Sequence, residues 1–348
     1  MAARGDVGRQ TPAARIGSYV AGKVRTDGPG LALAVVKAGN VVHAAGYGLA
    51  DRRGLPIAPD TIFHLASCGK QFTGLGIAVL AEEGKLDLDD AVATHLASLA
   101  AFGPQVTIRR LLHHTSGIRD LYDAHGFQQV LAGRERATNA DMIRAYADLG
   151  CPMTDAESRP GEAFRYSNSG YDLLGAVIER VSGQSYHDFF QRRVFDPVGM
   201  KDTFSVPDRR TGDVSVATGY FRDHRGGYLQ HRGSGFDDVV GSGSFYTTVS
   251  DLCRYDRALA ANRFLSEVGM RQVYASGRTN DGAATGYGFG WFVGANQSGR
   301  FAEHAGEWNG FTSYVCRLLD RPLSVFLLSN HPDLDLFAIA SEALAAFD

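Results

Sequence analysis

Runs of β-type residues gather at the two ends of this chain with a long helical middle between them, so a single sheet has to be assembled from both termini. Near the start, Leu31–Val36 is rich in β-formers, Lys37, Ala38, Gly39 and Asn40 read as a turn, and Val41–Tyr47 resumes the extended pattern, which predicts an antiparallel hairpin. Near the end, β-type runs at Tyr287–Val293, Phe301–Gly306, Phe311–Leu319 and Leu323–Ser329 are punctuated by Asn309-Gly310 and Asp320-Arg321-Pro322. In the middle, Leu75, Ile77, Val79 and Leu80 approximate helical spacing across Thr73–Glu83, with Gly84 where the helix ends. The clearest helix is Tyr171–Ser182, where Leu173, Leu174, Val177, Ile178 and Val181 share a face and Gly183 closes it. A terminal helix over Asp333–Phe347 carries Leu336, Ile339, Ala340, Ala343 and Leu344 on one stripe. The expected class is α/β (α+β): an antiparallel sheet formed from N- and C-terminal segments with flanking helices, plus an inserted mostly helical region. Its expected divisions are 1–65 with 245–348 for the sheet and 66–244 for the helical part.

Composition closes off several functions. With 348 residues, 44% hydrophobic and 21% charged, the chain has enough apolar matter for one interrupted domain or two. A formal charge of −3 supplies no field for gripping phosphate backbones or anionic lipid, so nucleic acid is not an expected partner. Cys68, Cys151, Cys253 and Cys316 show no C-x-x-C spacing, which argues against a zinc ribbon or a redox dithiol. No apolar run approaches the roughly 18 residues of a membrane span, and the basic start has no apolar block behind it. As written the chain reads as cytoplasmic, or as periplasmic or secreted if a leader had been removed. Nothing in the pattern sets an oligomeric state.

Several catalytic patterns fail. Gly17 through Gly22-Lys23 has phosphate-loop spacing, but Val24 follows where a hydroxyl for magnesium is needed, and no strand precedes it. No serine sits in G-x-S-x-G. No H-E-x-x-H occurs, and adjacent His113 and His114 would point about 100° apart on a helix, so neither a metal nor another cofactor is expected.

Three short motifs carry chemistry. Ser67-Cys68-Gly69-Lys70 is an S-x-x-K at the start of the first middle helix, where a hydroxyl and an amine three residues apart share a face. The amine becomes a base for the hydroxyl if burial lowers its pKa. A lysine in a first turn opposes the helix dipole, so its place there costs local stability. The plainer reading is a capping serine and a solvated lysine. Tyr166-Ser167-Asn168 precedes the 171–182 helix; it supplies a phenol for proton transfer and an amide for a polar substrate, or simply turn and cap residues. His304-Ala305-Gly306 falls in a late strand, where glycine lets a substrate approach the backbone and His304 is a cation, a donor or a plain strand residue.

Taken in this order and separation, the three motifs resemble the serine β-lactamase and penicillin-binding protein superfamily, and within it the branch of class C β-lactamases, D-alanyl-D-alanine carboxypeptidases, D-aminopeptidases and related esterases. The resemblance extends to Leu111–Ile118, Phe164–Tyr171, Phe195–Met200 and Gly243–Leu252. It implies Ser67 as nucleophile, Lys70 and Tyr166 as the proton-transfer pair, and Asn168 as a ligand for the acyl side chain. It further implies an oxyanion hole from the N–H groups of Ser67 and Glu307, with His304 and Gly306 beside the substrate. His304 stands where many members carry the lysine of K-T-G. A histidine is mostly neutral at pH 7, which weakens selection for a substrate carboxylate. The expected activity is hydrolysis of small esters, amides or D-amino-acid and short-peptide substrates, with weak or no β-lactam hydrolysis. The alternatives are a true class C-like β-lactamase or D,D-carboxypeptidase, acyl transfer to another acceptor, and a non-catalytic sensor or structural module.

Other residues carry weaker signals. Glu307 and Trp308 line a pocket or only shape the turn at Asn309-Gly310, and the glycine-containing stretch 226–243 is a loop over a site or a connector. Cys68 points away from the Ser67–Lys70 face and reads as a small core residue. Tyr47, Tyr287 and Trp291 read as sheet packing, and His113 and His114 as structural.

Overall fold

The structure, a computed structural model, describes residues 10–149, 159–205 and 216–348. Its main sheet has six antiparallel strands: β1 (Leu31–Lys37), β2 (Asn40–Tyr47), β3 (Phe292–Asn296), β4 (Gly299–Trp308), β5 (Phe311–Leu318) and β6 (Leu323–Ser329), in the order β2-β1-β6-β5-β4-β3. The terminal segments meet where β1 pairs with β6, Leu33 opposite Leu327. Ala38 and Gly39 both take positive φ, and so do Asn309 and Gly310, which is the twist a two-residue hairpin requires.

Period-two alternation sends the sheet's side chains into two cores. Leu31, Leu33 and Val35 pack with Leu323, Val325 and Leu327 against Ile16 and Val20 of α1 (Pro12–Ala21) and Ile339 of α5 (Leu336–Phe347). Ala32, Ala34, Val36, Val315, Phe326 and Leu328 face the larger core shared with α2 (Lys70–Glu82), α3 (Asn168–Ser182) and α4 (Val249–Ala260). Both faces are covered, which is why β1 is buried from Leu31 to Val36 and reads as a continuous apolar run. A small sheet of Phe63–His64, Phe245–Thr247 and Phe204–Ser205 ties the turn before α2 to the second half of the chain.

Three elements depart from the sequence expectation. A single 3-10 turn, Ala66–Gly69, precedes α2, so Ser67 lies on that turn and Lys70 opens the helix. The helix expected from Tyr171 begins at Asn168, because Ser167 Oγ accepts the Gly170 N–H at 3.1 Å and caps it. The strand expected from Tyr287 begins only at Phe292. A Cβ on Gly288 would lie 2.3 Å from the Val273 carbonyl oxygen, and one on Gly290 2.3 Å from that of Lys70. The segment is therefore pressed onto the start of α2, with Tyr287, Phe289 and Trp291 buried. No helix among the described residues is long and apolar enough to cross a membrane.

Candidate active site

Ser67 is presented by a strained turn. Ala66 adopts φ +51°, a left-handed conformation that costs a non-glycine residue energy, and its N–H donates to His64 Nδ1 at 3.0 Å. Two glycines frame the Ser67 amide. A Cβ on Gly306 would lie 2.8 Å from Ser67 N, and one on Gly243 would lie 2.8 Å from the Ala66 carbonyl. Strand β4 can approach this closely because β3 pairs with it only over residues 299–303, leaving 304–308 with β5 on one side.

Lys70 Nζ lies 3.1 Å from Ser67 Oγ, 2.7 Å from Asn168 Oδ1 and 2.7 Å from the Ser242 carbonyl oxygen. The lysine is completely buried, and burial holds its ammonium well below the ordinary 10.5 against the opposing pull of Asp172 and Asp120. The two carbonyl oxygens can only accept. A neutral Lys70 therefore commits both N–H bonds to them and turns its lone pair to the Ser67 hydroxyl, whereas the ammonium donates to all three.

Tyr166 lies with its ring centroid 4.8 Å from Lys70 Nζ, and the nearby Ser67 hydroxyl acts on its phenol. Burial raises the phenol far above its usual 10, more than the Ser67 hydroxyl lowers it, so the resting group is a protonated donor. Below it lies His114, its ring 4.4 Å away and its backbone at φ +56°. Nδ1 of His114 accepts the Ser167 N–H at 3.1 Å, which ties Tyr166 and Asn168 to the helix start. Asp120 completes that tie, accepting from the N–H groups of Asn168 and Ser169 and from Ser169 Oγ.

His304 is buried. Its Nδ1 donates to the Ala305 carbonyl oxygen at 2.6 Å and its Nε2 accepts from the Tyr287 hydroxyl at 2.9 Å. Desolvation, with Lys70 next in effect, pushes its pKa down to about 3. Of the three roles open to it in the sequence, the cation is the one this setting removes. The geometry thus brings Ser67, Lys70, Tyr166, Asn168 and Gly306 together, buries His304 on β4 with its ring 6.1 Å from that of Tyr166, and leaves Glu307 exposed on that strand.

Beside Ser67 opens a small cleft of about 60 Å³ lined by Asn168, Tyr122, Phe236, Val239, Glu307 and Trp308, with His64 and Asp237 at its wall. Tyr122 packs edge-on against Phe236 and Trp308 at 5.0 and 5.8 Å. Among the described residues, no lysine or arginine lines it. Sequence reasoning missed His64, Asp120, Tyr122, Asp172 and Ser242, and read Tyr287 and His114 as packing only. Most lie outside the short motifs, and apart from His64, which meets Ala66, their partners lie far along the chain. Cys68 Sγ donates to the His304 carbonyl oxygen at 3.0 Å, and burial pushes its thiol up to about 12.

A β-lactamase family profile matches residues 15–347. The chain is 33% identical over 308 residues to penicillin-binding protein 4* of Bacillus subtilis (strain 168), covering 83% of this chain and 64% of that protein. It is 28% identical over 309 residues to protein flp of Staphylococcus aureus (strain NCTC 8325 / PS 47), covering 87% and 59%. The chain thus spans about three-fifths of the length of these curated relatives. Among solved structures, the octameric penicillin-binding protein homologue from Pyrococcus abyssi superposes with a TM-score of 0.81 at 28% identity, covering 95% of this chain and 76% of that one. The D-amino acid amidase from Ochrobactrum anthropi SV3 superposes with a TM-score of 0.76 at 22% identity, covering 97% of each, which is a likeness of fold.

Proposed function

The chain belongs to the β-lactamase family, and from that premise we propose that it is a serine hydrolase forming an acyl-enzyme on Ser67. Its substrates are small esters, amides or D-amino-acid and short-peptide derivatives, and β-lactams are poor ones. The observation that carries this reading is the completely buried Lys70 amine 3.1 Å from Ser67 Oγ, with both carbonyl acceptors placed to leave its lone pair for the serine proton.

In the proposed reaction Ser67 Oγ bonds to the substrate carbonyl carbon as its proton passes to Lys70 Nζ. The N–H groups of Ser67 and Glu307 hold the oxyanion. On collapse the leaving group departs with a proton supplied through Tyr166, whose raised phenol pKa suits it to donate, and Lys70 re-supplies Tyr166. Water then repeats the sequence on the acyl carbonyl and frees Ser67. Asn168, with its oxygen taken by Lys70, offers its N–H₂ to the acyl group. The aromatic cleft favours an acyl group with apolar surface, and among the described residues no arginine or lysine lines it to attract a carboxylate.

The test is intact mass spectrometry after incubation with a fluorophosphonate, beside a panel of nitrophenyl esters, D-amino-acid amides, D-Ala-D-Ala peptides and nitrocefin. An adduct and ester or amide turnover, both lost in Ser67→Ala, are expected. No adduct and no turnover would favour the non-catalytic sensor. Efficient nitrocefin hydrolysis with idle esters would favour a true β-lactamase.

A further inference from the structure

Asp172 lies one helical turn beyond Asn168 on α3 and is completely buried. Its Oδ1 accepts the Ser242 N–H at 2.9 Å, and Oδ2 takes no hydrogen bond among the described residues. The main chain of that same Ser242 turns its carbonyl oxygen to Lys70 Nζ at 2.7 Å. Asn139 clamps the stretch leading to Ser242 onto α3, donating to the Asp172 and Val240 carbonyl oxygens and accepting the Val240 N–H, all at 2.7 Å. Gly241, at φ +129°, allows this approach, since a Cβ there would lie 2.2 Å from the Tyr171 carbonyl oxygen. A buried carboxylate with a free oxygen costs several kcal/mol unless a cation compensates it.

We propose that Asp172 is the counter-charge of Lys70, a positioning residue that acts through the Ser242 main chain to stabilise the ammonium formed when Lys70 takes the Ser67 proton. This deepens, and rests on, the reading of Lys70 as the base of Ser67. In the acylation step the Oγ–H bond breaks, Nζ gains the proton and a positive charge, and the negative charge passes to the substrate oxygen. The ionised Asp172 carboxylate faces this ammonium without exchanging a proton with it, and the ammonium surrenders its proton on collapse.

The other titratable groups facing the pair do not take this role. The phenols of Tyr122, Tyr146, Tyr166, Tyr171 and Tyr186 and the Cys68 thiol are raised by burial, and the His114 and His304 imidazoles are lowered, so all are neutral near pH 7. Both oxygens of Asp120 already receive donors from the start of α3. Burial drives the Asp172 carboxyl up from its usual range while Lys70 draws it down, the pattern of two groups sharing one charge balance.

The chain has only five lysines, Lys23, Lys37, Lys70, Lys85 and Lys201, so ¹³Cε-lysine NMR resolves Lys70 by its loss in Lys70→Ala. In Asp172→Asn the Lys70 midpoint should fall by about one pH unit or more, and the acid limb of kcat/KM for a nitrophenyl ester should move down with it. A midpoint unchanged or raised overturns the proposal, and so does a larger fall in Asp120→Asn. If Asp172→Asn does not fold, the wild-type titration decides: a second inflection in the Lys70 resonance, where Asp172 ionises, supports the pairing, and a single inflection overturns it. If wild type neither hydrolyses esters nor takes the phosphonate on Ser67, the hydrolase reading fails, yet the Lys70 titration still decides the pairing.

Discussion

The Tyr287 hydroxyl donates to Nε2 of His304 at 2.9 Å, which occupies the one ring nitrogen that could take up a proton on β4. With Nδ1 spent on the Ala305 carbonyl oxygen, the ring has no free nitrogen to receive a proton, and burial holds its pKa at about 3. Relative kcat/KM for a neutral ester and its carboxylate-bearing analogue should therefore stay flat between about pH 5 and 8. Preference for the carboxylate that rises as pH falls through about 6.5 would mean that His304 titrates as an accessible cation and can select for a substrate carboxylate.

Burial of uncharged histidines also predicts how the protein responds to acid. His304 is lowered to about 3, His64 to about 4 and His114 well below its ordinary 6.5, all chiefly by desolvation. Unfolding lets each take up a proton below 6.5, so each contributes stability present above that pH and lost as pH falls toward the folded values. One such group gives a slope of about 1.4 kcal/mol per pH unit. Asp172 works in the opposite direction: its folded pKa is raised, so the folded state holds a proton the unfolded state has released. The lowered histidines outnumber the raised carboxyls, so stability should fall as pH drops from about 6.5 toward 4.5. Urea unfolding at a series of pH values measures this, and a flat stability across that window would contradict the buried, neutral imidazoles.

How much of this was legible in the sequence depended on how far apart the interacting residues lie. Ser67 and Lys70 are three residues apart, so one helical turn predicts their meeting wherever the turn sits. The hairpins at Ala38-Gly39 and Asn309-Gly310 were equally local, and both ends of the main sheet followed from runs of β-type residues between turn signals. Tyr166 and Asn168 could be joined to Ser67 only through the family spacing, because nothing local reports that α3 starts beside α2. Asp172 carries no signal of its own: it reads as a polar residue in an apolar stripe until Ser242, 70 residues onward, is placed against it. The strands at Phe63–His64 and Phe245–Thr247 are too short to show alternation. Residues 287–291 look like a strand because their aromatic residues are buried, but Gly288 and Gly290 are there for contact with Val273 and Lys70.

Gly306 offers the cleanest probe of the framed amide, because its backbone is not in the left-handed region and a substitution there tests space alone. A Cβ would come within 2.5 Å of Ser313 Oγ and 2.8 Å of both the Leu65 carbonyl oxygen and Ser67 N. Two of these are backbone atoms that cannot swing aside. Ser313 is little freer, since its hydroxyl donates to the Leu65 oxygen at 2.6 Å and moving it would leave that carbonyl unpaired. Gly306→Ala must therefore push β4 away from the Ser67 turn. The expected result is a stability loss of about 1–3 kcal/mol from overpacking. A fall in kcat of about 10²-fold at nearly constant KM should accompany it, because an oxyanion donor is displaced while the substrate pocket is not. Adding Ser313→Ala removes the nearest clash but neither backbone one, so the double variant should recover little activity. Full recovery would show that only the hydroxyl was in the way, and wild-type kcat in Gly306→Ala would show that β4 does not need to lie this close.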